Sequence, residues 1–380
     1  MSKKKILIVT RNLPPLIGGM ERLNWHIADE LSKNHKIIVI SHSKAKFEAP
    51  PDTSFYGVRL NPLPLFLLLA FMTTFWVCLR QRPDILFAGS GLTAPIATFW
   101  AKFFRKKSIV YIHGLDIGTN NKLYNLLWIP FIRSSDQIIA NSSPTYDICL
   151  KKGVNEKNLS IIHPGVSFPP QPRNEQLIQQ LKSQYDLQDK KILLSVGRLT
   201  TRKGLKEFVE NSLAYIVQQE PDVVLVVVGE SPKNSLGAGL QTREEILEAA
   251  RKNQIENHIL FLGVITDNKQ LATIYEAADV HVFPVRHIPD DPEGFGMVAI
   301  EAAAHGLPTV AFATGGVVDA VKDGVSGYLV EKDNYRFLSE KIIETLQVHL
   351  DPKDIRNFAN SFEWNKFGQK IVRVISYENS

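Results

Sequence analysis

Cysteine is almost missing from this 380-residue sequence. Only Cys78 and Cys149 occur, outside any Cys-x-x-Cys pair, so a disulfide framework is excluded and a reducing compartment is expected. No Asp-x-Asp is present, and His281, His287 and His305 are scattered without partners at ligand spacing, so no metal site can be read from the chain. The dinucleotide-binding turn is missing as well. The loop after the first strand holds the pair Gly18-Gly19 instead of Gly-x-Gly-x-x-Gly, and the second strand ends in Ile-Ser-His-Ser with no acidic residue, which disfavours a nicotinamide dehydrogenase. After Met-Ser-Lys-Lys-Lys the apolar run Ile6 to Val9 is too short for a signal peptide and reads as a first strand in a cytoplasmic protein. The longest apolar segment, Leu63 to Leu79, has seventeen residues with proline second, short of the about 20 that a bilayer span needs. It reads as a largely buried helix with one face at a membrane surface.

What is present fits two globular domains: 380 residues with 44% apolar and 22% charged side chains. The charge is uneven. Residues 1–165 carry 21 Lys and Arg against 10 Asp and Glu, or +11, and the remainder carries 23 against 29, or −6. The basic half suits an anionic membrane surface, whereas nucleic acid is set aside because no RNP, zinc-finger or KH signature accompanies it.

Short apolar runs alternate with helical patterns along the chain, which predicts an α/β architecture with parallel sheets. The first domain is expected at 1–168, a polar Pro/Gln-rich linker at 169–188 and a second domain at 189–361, with a terminal helix at about 362–380. His113-Gly-Leu-Asp116 ends one strand, and strand C-termini in parallel sheets are where ligands sit. Lys191 to Gly204 reads as a strand running into a glycine-bounded loop, which places Arg198 and Lys203 at a second strand end.

The rest of the chain is organised around Asp290-Asp-Pro-Glu-Gly-Phe-Gly-Met-Val-Ala-Ile-Glu301. Pro292, Gly294 and Gly296 forbid a helix before about Met297, and Gly306 with Pro308 stops it, so the pattern is loop, helix, turn and a short strand Thr309 to Ala313. Glu293 then lies at the helix mouth and Glu301 about one turn inside. The helix N-terminus offers backbone N–H groups to an anion, and Gly294 and Gly296 let a ligand approach the backbone. Carboxylates are poor partners for phosphate and good acceptors for sugar and ribose hydroxyls; the pair Gly315-Gly316 offers a further N–H nest for phosphate. A nucleotide-sugar suits both halves.

This stretch resembles the E-x7-E signature of the retaining family 4 glycosyltransferases, in its spacing, its Glu-Gly-Phe-Gly core and the following Gly-Leu-Pro-Thr-Val with Thr-Gly-Gly. The resemblance extends over nearly the whole chain and is strongest in 191–330. It implies the GT-B fold: two facing Rossmann-like domains, with a C-terminal helix crossing back to the first. It further implies that Arg198 and Lys203 clamp the donor diphosphate, that Glu301 accepts from the ribose hydroxyls, and that Glu293 with the backbone of Gly294, Phe295 and Gly296 holds the sugar. Gly18 and Gly19 would face the donor phosphates across the interdomain cleft, and His113 would lie beside the anomeric carbon. No cofactor and no metal are implied. Transfer with retention of configuration is expected, from GDP-mannose ahead of a UDP-sugar. The acceptor would be a glycan, a polyprenyl phosphate or a lipid-linked sugar at the inner face of the cytoplasmic membrane. The rival from another class is an epimerase or phosphorylase on the same fold, because fold alone does not decide function.

Overall fold

The computed structural model describes residues 3–170, 173–232 and 239–376. The chain divides into two compact units, Met1–Gly165 with Trp364–Ser380, and Val166–Glu363. In both, the central strands are short runs apolar on each side, the composition of a parallel sheet covered on both faces by helices.

The first unit holds seven strands: β1 (Lys5–Val9), β2 (Lys36–His42), β3 (Thr53–Val58), β4 (Ile85–Ala88), β5 (Lys107–Ile112), β6 (Gln137–Ala140) and β7 (Leu159–Ile161). They form one parallel sheet in the order β3-β2-β1-β4-β5-β6-β7. The chain runs outward from β1 to β3 and returns to β4 beside β1, so the strand order reverses between β1 and β4. Helices α1 (Gly19–Ser32), α2 (Leu63–Gln81) and α3 (Ala94–Phe103) follow β1, β3 and β4. The terminal helix Trp364–Ser376 packs on α1, where the ring of Trp364 stacks on His26 at 3.7 Å and Gly368 lies against Glu30. The last four residues of the helix expected to run to 380 lie outside the described residues.

The second unit holds β8 (Lys191–Val196), β9 (Val223–Val228), β10 (Ile259–Gly263), β11 (Val280–Phe283), β12 (Thr309–Phe312) and β13 (Gly327–Val330). This sheet is also parallel, in the order β10-β9-β8-β11-β12-β13, with its reversal between β8 and β11. In open α/β sheets ligands sit outside the carboxyl ends of the two strands that flank such a reversal.

Three expectations fail. The strand β3 is absent from the sequence reading because it is an edge strand whose only buried residue is Val58, so it lacks the apolar run that marks its neighbours. The polar stretch 169–188 is more than a linker: Glu175–Gln184 is a helix capped by Asn174, and Ile178 and Leu181 bury one turn apart in the second unit's core. Gln171 and Pro172 lie outside the described residues. Finally, α2 is not largely buried. Phe66, Ala70, Thr74, Val77 and Cys78 face inward, and the other side of the helix is open to solvent.

Candidate functional site

The two strands flanking the reversal in the second sheet send out the two loops that the sequence singles out. After β8 the chain passes Gly197 and Arg198 into a short turn at Thr201–Lys203. After β11 it passes Pro284 into the loop that reaches Gly296 and the helix Met297–Ala304. That helix starts where expected because Gly296 caps it at φ +91°, a left-handed conformation that a side chain strains, and a Cβ there would stand 2.9 Å from Phe283.

These loops meet through charge. Lys203 Nζ donates to Glu293 Oε2 at 2.9 Å, and Arg202 Nε donates to the same oxygen at 3.1 Å. The guanidinium of Arg202 also donates through Nη1 to Asp291. Lys203 Nζ lies 4.5 Å over the ring of Phe283. Burial by itself pushes the Glu293 carboxyl up, yet Lys203 and Arg202 beside it prevail and hold it at about 2. Burial lowers Lys203, and its bond to Glu293 offsets this only in part because Arg202 and Arg198 repel it. Arg198 is exposed and close enough to act on both groups. Three cations thus face two carboxylates, a surplus of one positive charge at a strand end.

Arg202 and Asp291 were missed from the sequence. Arg202 adjoins Lys203 and Asp291 lies two residues before Glu293, but a local cluster of like charges does not tell which distant partners will bury together; Asp291 is 9% exposed in spite of its charge.

Other picks turn out differently. Gly316 N–H donates to the Glu293 carbonyl at 2.8 Å, so it is not part of a free phosphate nest. A Cβ on Gly316 would stand 2.1 Å from the Gly294 carbonyl, and one on Gly315 2.6 Å from that of Glu293; the pair lets two loops touch. The Phe295 side chain is core, 3% exposed and 5.7 Å from the Phe362 ring, which leaves only its backbone for a ligand. Glu301 accepts from the Tyr275 hydroxyl at 3.2 Å, and Tyr275 stacks on His305 at 5.0 Å. A cavity of about 260 Å³ opens at the ends of the neighbouring strands, lined by Gly229, Glu230, Ser231, Phe261 and Gly263, with Arg243 over Phe261 at 5.0 Å.

In the first unit Gly18 caps α1 and Gly19 opens it. His113 follows β5, and its Nε2 lies 2.8 Å from the Gly89 carbonyl, which can only accept, so Nε2–H donates there. The His113 N–H donates to Asp116 at 2.8 Å, and its carbonyl accepts from Asn141 at 3.3 Å.

The family profile "Glycosyl transferases group 1" matches residues 178–362, and "Glycosyltransferase Family 4" matches residues 17–168. An uncharacterised glycosyltransferase of Methanocaldococcus jannaschii is 24% identical over 97% of each chain. The GDP-mannose-dependent alpha-(1-6)-phosphatidylinositol monomannoside mannosyltransferase of Mycolicibacterium smegmatis is 23% identical over 98% of each. Among solved structures, HepE of Anabaena in complex with UDP-glucose superposes with a TM-score of 0.80 at 19% identity, covering 98% of this chain and 99% of that one. The fold is GT-B, two parallel-sheet Rossmann-like units in one chain. The chain belongs to the family 4, group 1 glycosyltransferases.

Proposed function

We propose that this glycosyltransferase moves a hexose, with retention of configuration and without a metal ion, from a nucleoside diphosphate sugar to a glycan, polyprenyl phosphate or lipid-linked acceptor. The observation that carries the reading is the surplus of positive charge formed by Arg198, Arg202 and Lys203 around Glu293, at the strand reversal where an anionic ligand is expected. Arg198 and Lys203 stabilise charge growing on the departing diphosphate, which is electrostatic catalysis aimed at the transition state. The bond from C1 to the phosphate oxygen breaks while the acceptor oxygen bonds C1 on the same face, and the acceptor proton passes to the leaving phosphate.

Glu301, steadied by Tyr275, accepts from the ribose hydroxyls, and the cavity beside Phe261 takes the base. Glu293 with the backbone of residues 294–296 holds the sugar, and Gly18, Gly19 and His113 act from the first unit. GDP-mannose stands ahead of a UDP-sugar, on the resemblance of the Asp290 to Gly296 stretch and on the name of the Mycolicibacterium relative. Work at the inner face of the cytoplasmic membrane follows from a lipid-linked acceptor. Family membership favours transfer over the epimerase or phosphorylase alternative.

The test is a thermal-shift panel of UDP, GDP and ADP, followed by transfer assays with the matching sugar donors. A ligand at 100 times its Kd adds about 2.7 kcal/mol of stability. A shift with GDP exceeding that with UDP supports the donor order; no shift with any nucleotide overturns the reading.

A further inference from the structure

Helix α2 has one face in the core and carries no charge from Leu63 to Leu79. Its other face shows Leu68, Met72, Trp76 and Leu79, spaced four, four and three residues apart, each at least 50% exposed. These spacings put them on one stripe. Next to it α3 presents Phe99 and Phe103, the second 63% exposed; the Phe99 ring lies 5.3 Å from that of Phe71 on α2. Scattered exposed apolar residues are ordinary, but a stripe along one helix with exposed phenylalanines on the neighbouring helix is the pattern of an interaction surface.

Charge indicates what covers it. Residues 63–107 contain Arg80, Arg82, Lys102, Arg105, Lys106 and Lys107 against Asp84 alone, six cations to one anion. The Asp84 carboxylate already accepts the backbone N–H of Lys5 at 2.8 Å. Arg80 stacks over Trp76 at 4.0 Å, which keeps a cation beside an exposed indole, a combination suited to the boundary between water and lipid. A second copy of the chain would bring the same excess of cations against itself.

A cavity supplies an independent observation. Some 250 Å³ opens where α2 and α3 end, lined by Cys78, Leu79, Pro83 and Phe104 with the cations Arg82 and Lys106. A helix C-terminus normally repels anions, but here the Gln81 carbonyl is taken by Lys5 Nζ at 2.6 Å and that of Cys78 by the Arg82 N–H at 3.1 Å. Burial pushes the Cys78 thiol up to about 12, so it stays neutral and adds no negative charge.

We propose that this face docks on an anionic phospholipid bilayer, with α2 lying along the surface, its stripe and the α3 phenylalanines among the outer acyl carbons, and one headgroup phosphate seated between Arg82 and Lys106. By length and composition α2 could span a bilayer, but its buried face ties it to the sheet, which favours lying in the plane. The purpose of docking rests on the reading of the acceptor as lipid-linked; the docking itself does not.

The experiment is flotation of the full chain with vesicles of phosphatidylcholine, alone or mixed with phosphatidylglycerol, across a salt series. The same proteins are melted with and without GDP and UDP. The wild type should float with the anionic vesicles only, and salt should release it. Each cation near an anionic leaflet is worth about fivefold in partitioning, so Arg82→Gln with Lys106→Gln should lose about twenty-five-fold. Trp76→Ser should lose about tenfold. Absence of wild-type binding at low salt overturns the proposal, as does unchanged partitioning of the double variant. Inhibition by inorganic phosphate beyond that of chloride at matched ionic strength would assign the cavity to free phosphate and overturn the headgroup. A concentration-dependent dimer that Trp76→Ser abolishes, with no vesicle binding, would assign the face to a second copy. The nucleotide-induced melting shift reads the donor site alone, so failure of docking with that shift intact leaves the transferase reading standing.

Discussion

Replacing Glu293 by glutamine isolates the charge at the centre of the second unit's site. Glutamine keeps the size and an acceptor oxygen, so Lys203 and Arg202 retain a partner and lose only its negative charge. The Glu293 carboxyl has its pKa lowered from 4.5 to about 2, a depression that converts at 1.36 kcal/mol per unit to about 3 kcal/mol of stability at neutral pH. Because the folded pKa lies below the unfolded one, this stability is fully present above about 4.5 and is lost as pH falls through about 2. At pH 7 the variant should therefore melt about 6–12 °C lower, for a unit of this size. The gap should close as both proteins are titrated through the acid range. Removing the carboxylate also raises the local surplus from one positive charge to two, so the bare nucleoside diphosphate should bind at least as tightly while sugar transfer falls. Calorimetric melting from neutral to acid pH, with GDP and UDP titrations at pH 7, provides the readouts. If the two proteins melt together at pH 7, Glu293 is not held by its cations and the electrostatic account of the site fails.

Three further outcomes are expected. Arg198→Ala and Lys203→Ala should each lower turnover by about a hundredfold or more, since they remove contacts that strengthen as the diphosphate leaves; unchanged turnover in both removes the clamp. Glu301→Ala should weaken binding of the bare nucleoside diphosphate, because the ribose is common to donor and product, and calorimetry that finds equal loss in Glu301→Ala and Glu293→Gln refutes their division of labour. His113→Ala should cut transfer more than donor binding, and transfer at the wild-type rate would make the bonds to Gly89 and Asp116 purely structural.

How much of this was legible depends on whether a residue's role is local. Strands buried on both sides are written as apolar runs, as at β9, where every residue from Val223 to Val228 is buried. The Met297 helix follows from glycine and proline punctuation at both ends. Roles set by partners far along the chain are not written locally. Arg202 becomes important because Asp291 and Glu293 reach it from 89 and 91 residues away. The edge strand β3 and the helix Glu175–Gln184 bury too few residues to stand out from polar surroundings. Apolar composition alone cannot tell a core helix from one whose outer face is open, and α2 has both faces apolar.

The return of the terminal helix to the first unit bears on how the protein is made. Translation delivers residues 1–165 first, yet the face of α1 that stacks His26 on Trp364 waits for the last segment of the chain. Trp364, Phe367, Ile371 and Ile375, all buried, leave the ribosome only after Val166–Glu363 has emerged whole. The half of the molecule begun first is thus completed last, with an uncovered helix face during most of its synthesis. A released chain that ended before Trp364 would hold a second unit able to close its own core and a first unit still missing a wall.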